Sequence, residues 1–194
     1  MIINVKKLAK ILKTNYMSFG IKLFNHNGAL IIEGTNFSAM FYGDEIPKEV
    51  LGEVIKLSGR IPCEGAGIKC STGGNEDIEF QVNQKLWDTQ HLFWQETIMK
   101  VSDGNRDYRI FEAADRTKHL VQTSLLELLD EKEILKKEVN GDEIYKRYCE
   151  SKQNDRILWQ DRDSTLMINP IVIDEYNNLL DELKNVTIPF KDVN

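Results

Sequence analysis

Apolar residues recur with two different periods along this chain, and the change of period divides it. Val5, Leu8, Ala9 and Leu12 return at helical spacing behind Asn4, a usable N-cap, while Lys6, Lys10 and Lys13 fall on the opposite side. This pattern predicts a helix from Asn4 to about Lys13. From Gly20 to Gly43 the period drops towards that of strands. Ile21–Phe24 and Ala29–Glu33 flank Asn27-Gly28, residues that tolerate the positive φ of a tight hairpin turn, and Phe37–Tyr42 follows Gly34, so a three-stranded meander is expected. Ile46-Pro47 opens a second helix through Val50, Val54, Ile55 and Leu57, closed by Gly59. Two more hairpins follow, Gly67–Ser71 with Asp77–Val82 across Gly73-Gly74, and Thr97–Ser102 with Asp107–Phe111 across Asp103-Gly104.

Beyond Ala113 the helical period returns. Val121, Leu125, Leu128 and Leu129 share a helix face, a shorter stretch runs over Ile134–Val139, and after Gly141 another helix is expected over Asp142–Lys152. Arg156–Gln160 and Thr165–Ile168 read as a short hairpin. Asn169-Pro170 then offers an N-cap and a first-turn proline for a last helix with Ile173, Tyr176, Leu180 and Leu183. The fold class is therefore α+β: a mainly antiparallel sheet half with two helices over residues 1–112, then a helical, winged-helix-like half over residues 113–194. No Gly/Ser/Pro-rich linker separates them, so the halves are expected to pack on each other.

Composition narrows the function. A chain of 194 residues with 41% hydrophobic and 29% charged content is that of a soluble globular protein, without an apolar run of membrane-span length or a signal-peptide pattern, so a cytoplasmic location is expected. Cys63, Cys70 and Cys149 are odd in number and read as reduced thiols. The net charge of −6 weighs against bulk attraction to nucleic acid or anionic lipid. It is concentrated in the second half, where 12 Lys/Arg face 17 Asp/Glu, against 13 and 14 in the first. Richness in Asn, Lys, Ile, Asp and Glu points to an AT-rich coding source, such as a low-GC bacterium or one of its phages.

The candidate chemistry is sparse. Asp161-Arg162-Asp163-Ser164-Thr165 behind Ile157-Leu158-Trp159 resembles the nucleophile motif of haloacid dehalogenase-like phosphatases, which implies an attacking first Asp and an acid/base second Asp. That family also needs a parallel α/β core and a further acidic pair downstream, and 29 residues remain, so a polar hairpin turn is the preferred reading. Cys63 and Cys70 lack the partner pairs of a zinc site, and Asp103–Asp107 lacks the ligand run of a calcium loop. Gly65-Ala66-Gly67 and Gly73-Gly74 lack the Lys-Ser/Thr and the helix of a phosphate loop. Asp115 and His119 could pair at i, i+4 on a helix, with no nucleophile beside them. No cofactor and no metal is expected.

Two binding readings remain. The order of elements after Ala113 fits a winged helix with Asp142–Lys152 as recognition helix and Asp161–Thr165 as wing tip. Over residues 141–156, Lys146, Arg147, Lys152 and Arg156 are offset by Asp142, Glu143, Glu150 and Asp155. The first half, a lysine-faced helix, a meander, a second helix and a hairpin, resembles one subdomain of a processivity clamp over about 80 residues. That resemblance implies helices lining DNA, although the second half does not repeat the pattern as a clamp requires. Leu86–Trp94 holds two of the three tryptophans, and Trp87, His91, Phe93 and Trp94 are the candidate partner-binding residues, the alternative being that they fill the space between the halves. The sequence thus reads first as a non-enzymatic protein-binding or inhibitory factor, encoded by a phage or mobile element and acting on a larger host protein or nucleic-acid-processing complex. The alternative is a winged-helix DNA-binding regulator or replication accessory protein.

Overall fold

A computed structural model describes residues 1–43, 46–79, 94–113, 115–130, 132, 150–151 and 154–191. Its first helix, α1 (Val5–Ser18), starts where Asn4 predicts: the Asn4 side-chain oxygen accepts the Lys7 N–H at 3.2 Å. The helix runs five residues past Lys13 because Asn15 turns inward. Its amide donates to the Ile11 carbonyl at 3.1 Å and its oxygen accepts the Thr35 N–H at 2.6 Å, which ties the helix to the sheet below. A buried polar side chain with both ends bonded carries no desolvation deficit.

The meander forms as read. Strands β1 (Ile21–His26), β2 (Ala29–Gly34) and β3 (Phe37–Tyr42) pair antiparallel, and Asn27 and Gly28 at the first turn sit at φ 51° and 72°. Both lie in the left-handed region that such a turn demands. Helix α2 (Lys48–Ser58) ends at Gly59, whose N–H bonds to the Ile55 carbonyl. The hairpin of β4 (Ala66–Ser71) and β5 (Gly74–Glu79) closes at Thr72-Gly73, one residue earlier than expected. Strands β6 (Trp94–Ser102), β7 (Asp107–Ala113) and β8 (Lys118–Gln122) build a separate three-stranded antiparallel sheet.

The second half departs from the prediction. Val121 lies in β8 rather than on a helix, and the helix described in that apolar run is α3 (Thr123–Leu126), four residues long. The spacing of Val121, Leu125 and Leu128 is that of a helix face, and the pairing of β8 with β7 overrides it, taking Val121 into a strand. Glu150–Ser151 (β9) pairs with Asn154–Asp155 (β10), while most of the expected recognition helix and the 134–139 helix lie outside the described residues. The hairpin of β11 (Ile157–Gln160) and β12 (Ser164–Ile168) is present, yet it is no wing. β12 pairs with β3 along its whole length and is buried at every position, the profile of an interior strand. Helix α4 (Asp174–Leu183) begins later than Asn169-Pro170 foresees, since Ile171 first forms a bridge to Leu120.

The outcome is a mixed α+β fold with no two-part or winged-helix arrangement among the described residues. One seven-stranded antiparallel sheet runs β11-β12-β3-β2-β1-β4-β5 and so draws strands from both predicted halves. Leu8 and Leu12 of α1 and Val50 and Val54 of α2 pack on its inner face, against Leu23, Ile32, Ala39, Ile68 and Leu166. Trp94, Phe111 and Val121 of the smaller sheet close the same core, the Phe111 and Trp159 rings meeting edge to face at 6.2 Å. The far side of that sheet, Tyr108, Ile110 and Leu120, is covered by Tyr176, Leu180 and Leu183 of α4. Among the described residues no helix is long and apolar enough to cross a membrane.

Candidate functional site

The residues singled out for catalysis are occupied by local structure. One Asp161 carboxylate oxygen accepts the N–H groups of Asp163 and Ser164, at 2.9 and 2.7 Å, and the Ser164 hydroxyl at 3.0 Å. Burial pushes this carboxyl up, but the three hydrogen bonds outweigh it and hold the group below the usual carboxylate range. These bonds build the turn between β11 and β12, the preferred sequence reading. Asp103 serves the β6–β7 turn in the same way, accepting from Asn105 N–H, Arg106 N–H and the Tyr108 hydroxyl. Asp115 and His119 do not share a helix face: Asp115 accepts the Thr117 N–H at 2.9 Å ahead of β8, and His119 lies in β8.

The cysteines and aromatics are separated as well. Cys70 is buried in the main core, where desolvation pushes its thiol up to about 11 against a smaller lowering by Arg60, while Cys63 is exposed. Cys149 lies outside the described residues. No group of three or more His, Cys, Asp or Glu that could hold a metal ion exists among the described residues. Of the four partner-binding candidates, Trp87, His91 and Phe93 lie outside the described residues. Trp94 is fully buried with its ring centroid 4.0 Å from that of His119, so its indole fills the core and is not offered to a partner.

What the fold does assemble is a layer of lysines over α1 and α2. Leu8, Leu12 and Asn15 point α1 into the protein, which leaves Lys6, Lys10 and Lys13 along its outer crest, all exposed. On α2 the inward positions are Val50, Val54 and Ser58, so Lys48, Gly52 and Lys56 form the outer crest at i, i+4 and i+8, again all exposed. α1 carries four lysines and no acidic residue. Lys7, off the crest, is ion-paired with Glu127 at 2.5 Å, and Lys13 reaches Glu53 of α2 at 3.5 Å. Lys6, Lys10, Lys48 and Lys56 have no ion-pair partner among the described residues.

Like charges at i, i+4 cost a helix a few tenths of a kcal/mol per pair, and a solvated face ordinarily mixes signs to avoid this. Here Lys6 and Lys10 stand uncompensated in a chain whose net charge is −6. Glu49 is the exposed acid sharing the α2 crest, in the first turn, where its charge complements the helix dipole. The lysine row of α1 was legible in the sequence. Lys48 and Lys56 were missed, although their spacing around Gly52, out of phase with Val50 and Val54, is the signal that finds them.

Comparison with known proteins adds little. No family model and no curated protein matches the chain. Among solved structures the chain has a weak likeness to the crystal structure of the DNA polymerase III beta chain from Streptococcus pneumoniae TIGR4, with a TM-score of 0.30 and 8% sequence identity, over 92% of this chain and 68% of that one. So loose an overlap carries no argument about what this chain binds or does.

Proposed function

We propose that this chain is a non-enzymatic accessory factor of a nucleic-acid-processing complex, and that the α1–α2 layer contacts the phosphate backbone of duplex DNA. The observation that supports this reading is the crest of five exposed lysines, four of them without an ion-pair partner among the described residues, in an otherwise acidic protein. Lysines on rigid helices act as point charges towards phosphates and displace condensed counterions. The role is the second of the two read from sequence, with the contact surface moved from a winged helix in the C-terminal half to the N-terminal helices.

The test is an anisotropy titration of a fluorescein-labelled duplex at low and physiological salt. Binding should weaken with salt at a log–log slope of about −0.9 per phosphate contacted. Absence of binding at low salt, or a slope unaffected by Lys10→Glu, refutes the reading. Association with a partner protein is proposed in addition through the acidic side of the molecule, because α4 carries the exposed Asp174, Asp181 and Glu182 and no base. Such a surface complements a basic partner and repels DNA.

A further inference from the structure

Gly52 is a glycine for which the fold gives no reason. It sits neither at a bend nor at a cap but in the body of α2, four residues from each of the two lysines, Lys48 and Lys56, that flank it. Its φ lies outside the left-handed range, and a Cβ added to it would meet no atom within 4 Å. Alanine would fit without strain, and helix propensity favours alanine there. A glycine at such a position is explained when something outside the chain needs the space.

The neighbours say what that something is. Lys48 and Lys56 lie one helical repeat to either side on the same crest, about 12 Å apart along the axis. Their long side chains leave a saddle of bare backbone between them. Resting on the proposed duplex-binding role, we infer that Gly52 is the point of closest approach between this layer and the nucleic acid: a phosphodiester strand crosses α2 in the saddle, flanked by the two ammonium groups. Glu49, one turn before Gly52, borders the saddle and limits how deeply a phosphate enters on that side.

Stability and duplex binding respond to one substitution at Gly52 with opposite sign. Gly52→Ala is expected to raise the melting temperature by about 2–4 °C. The same change should weaken duplex binding about threefold, and Gly52→Leu about tenfold or more. Neither removes a charge, so the salt slope stays that of the wild type, whereas Lys48→Ala and Lys56→Ala each reduce it by about 0.9. Wild-type affinity in both Gly52 variants, with Lys10→Glu still damaging, overturns the inference and leaves the lysine layer standing. A wild-type protein that binds no duplex overturns both.

Discussion

Helices α1 and α4 are built from the same device, an apolar stripe laid on a sheet, and carry opposite charge. α1 has four lysines and no acid, and α4 has four acids and no base. They differ in attachment too. Leu8 and Leu12 of α1 are fully buried in the main core, and Asn4 caps its first turn. α4 meets a small sheet with the half-buried Tyr176, Leu180 and Leu183, and no side chain caps it. A net charge of −6 describes neither helix, and what an average excludes the distribution allows: a basic face on an acidic protein.

The sharpest way to break this comparison is to test whether the two helices are really held differently. Leu8→Ala should cost about 3–5 kcal/mol, the range for a leucine whose cavity cannot collapse. Leu180→Ala, on a half-buried site, should cost roughly half that. Urea melts of the two variants decide the matter, and equal midpoints would remove the distinction.

Charge comes next in size. Reversing Lys6 and Lys10 together to Glu should weaken duplex binding by about thirtyfold, or roughly 2 kcal/mol, and flatten its salt dependence. Reversing Asp181 and Glu182 to Lys on α4 should change it less than threefold, since these groups do not face the strand. A larger effect from α4 than from α1 would place the contact on the wrong helix.

Removing the cap is a smaller perturbation. Asn4→Ala leaves the Lys7 N–H without its acceptor and should cost about 1 kcal/mol, read as a lower thermal midpoint with duplex affinity almost unchanged. An affinity loss as large as that of the lysine variants would mean that the first turn itself touches the ligand.

The asymmetry between the two ends also explains what could be read before folding. The N-terminal elements follow from local rules: Asn4 caps, Asn27-Gly28 turns, Gly59 stops a helix, and each signal lies within a few residues of what it controls. The C-terminal ones are set by distant partners. β12 is an interior strand because β3, more than a hundred residues earlier, pairs with it, and Val121 is in a strand because β7 is beside it. Spacing alone cannot choose between a helix face and a strand when the residues are few. The lysine row of α1 was visible because one helix carries it. The crest as a whole was not, since its other half depends on α2 packing beside α1.

The smallest effect concerns the seam between those two helices. Glu53 is mostly covered, one of its carboxylate oxygens is 3.5 Å from the Lys13 ammonium, and the other is buried without a hydrogen-bond donor among the described residues. Because Lys13 is more than half exposed, solvent screens the pair, and its net worth to folding is about 0–1 kcal/mol. The half-satisfied carboxylate offsets part of that through its own desolvation. Glu53→Gln should therefore leave the melting temperature within a few degrees of wild type while releasing Lys13 towards a phosphate, which raises duplex affinity about twofold and steepens the salt slope by up to about 0.9. On α4, Asp181→Asn neutralises a charge equally and should do neither. If Glu53→Gln instead lowers affinity, the carboxylate is holding Lys13 in its binding position, and the seam belongs to the contact surface itself.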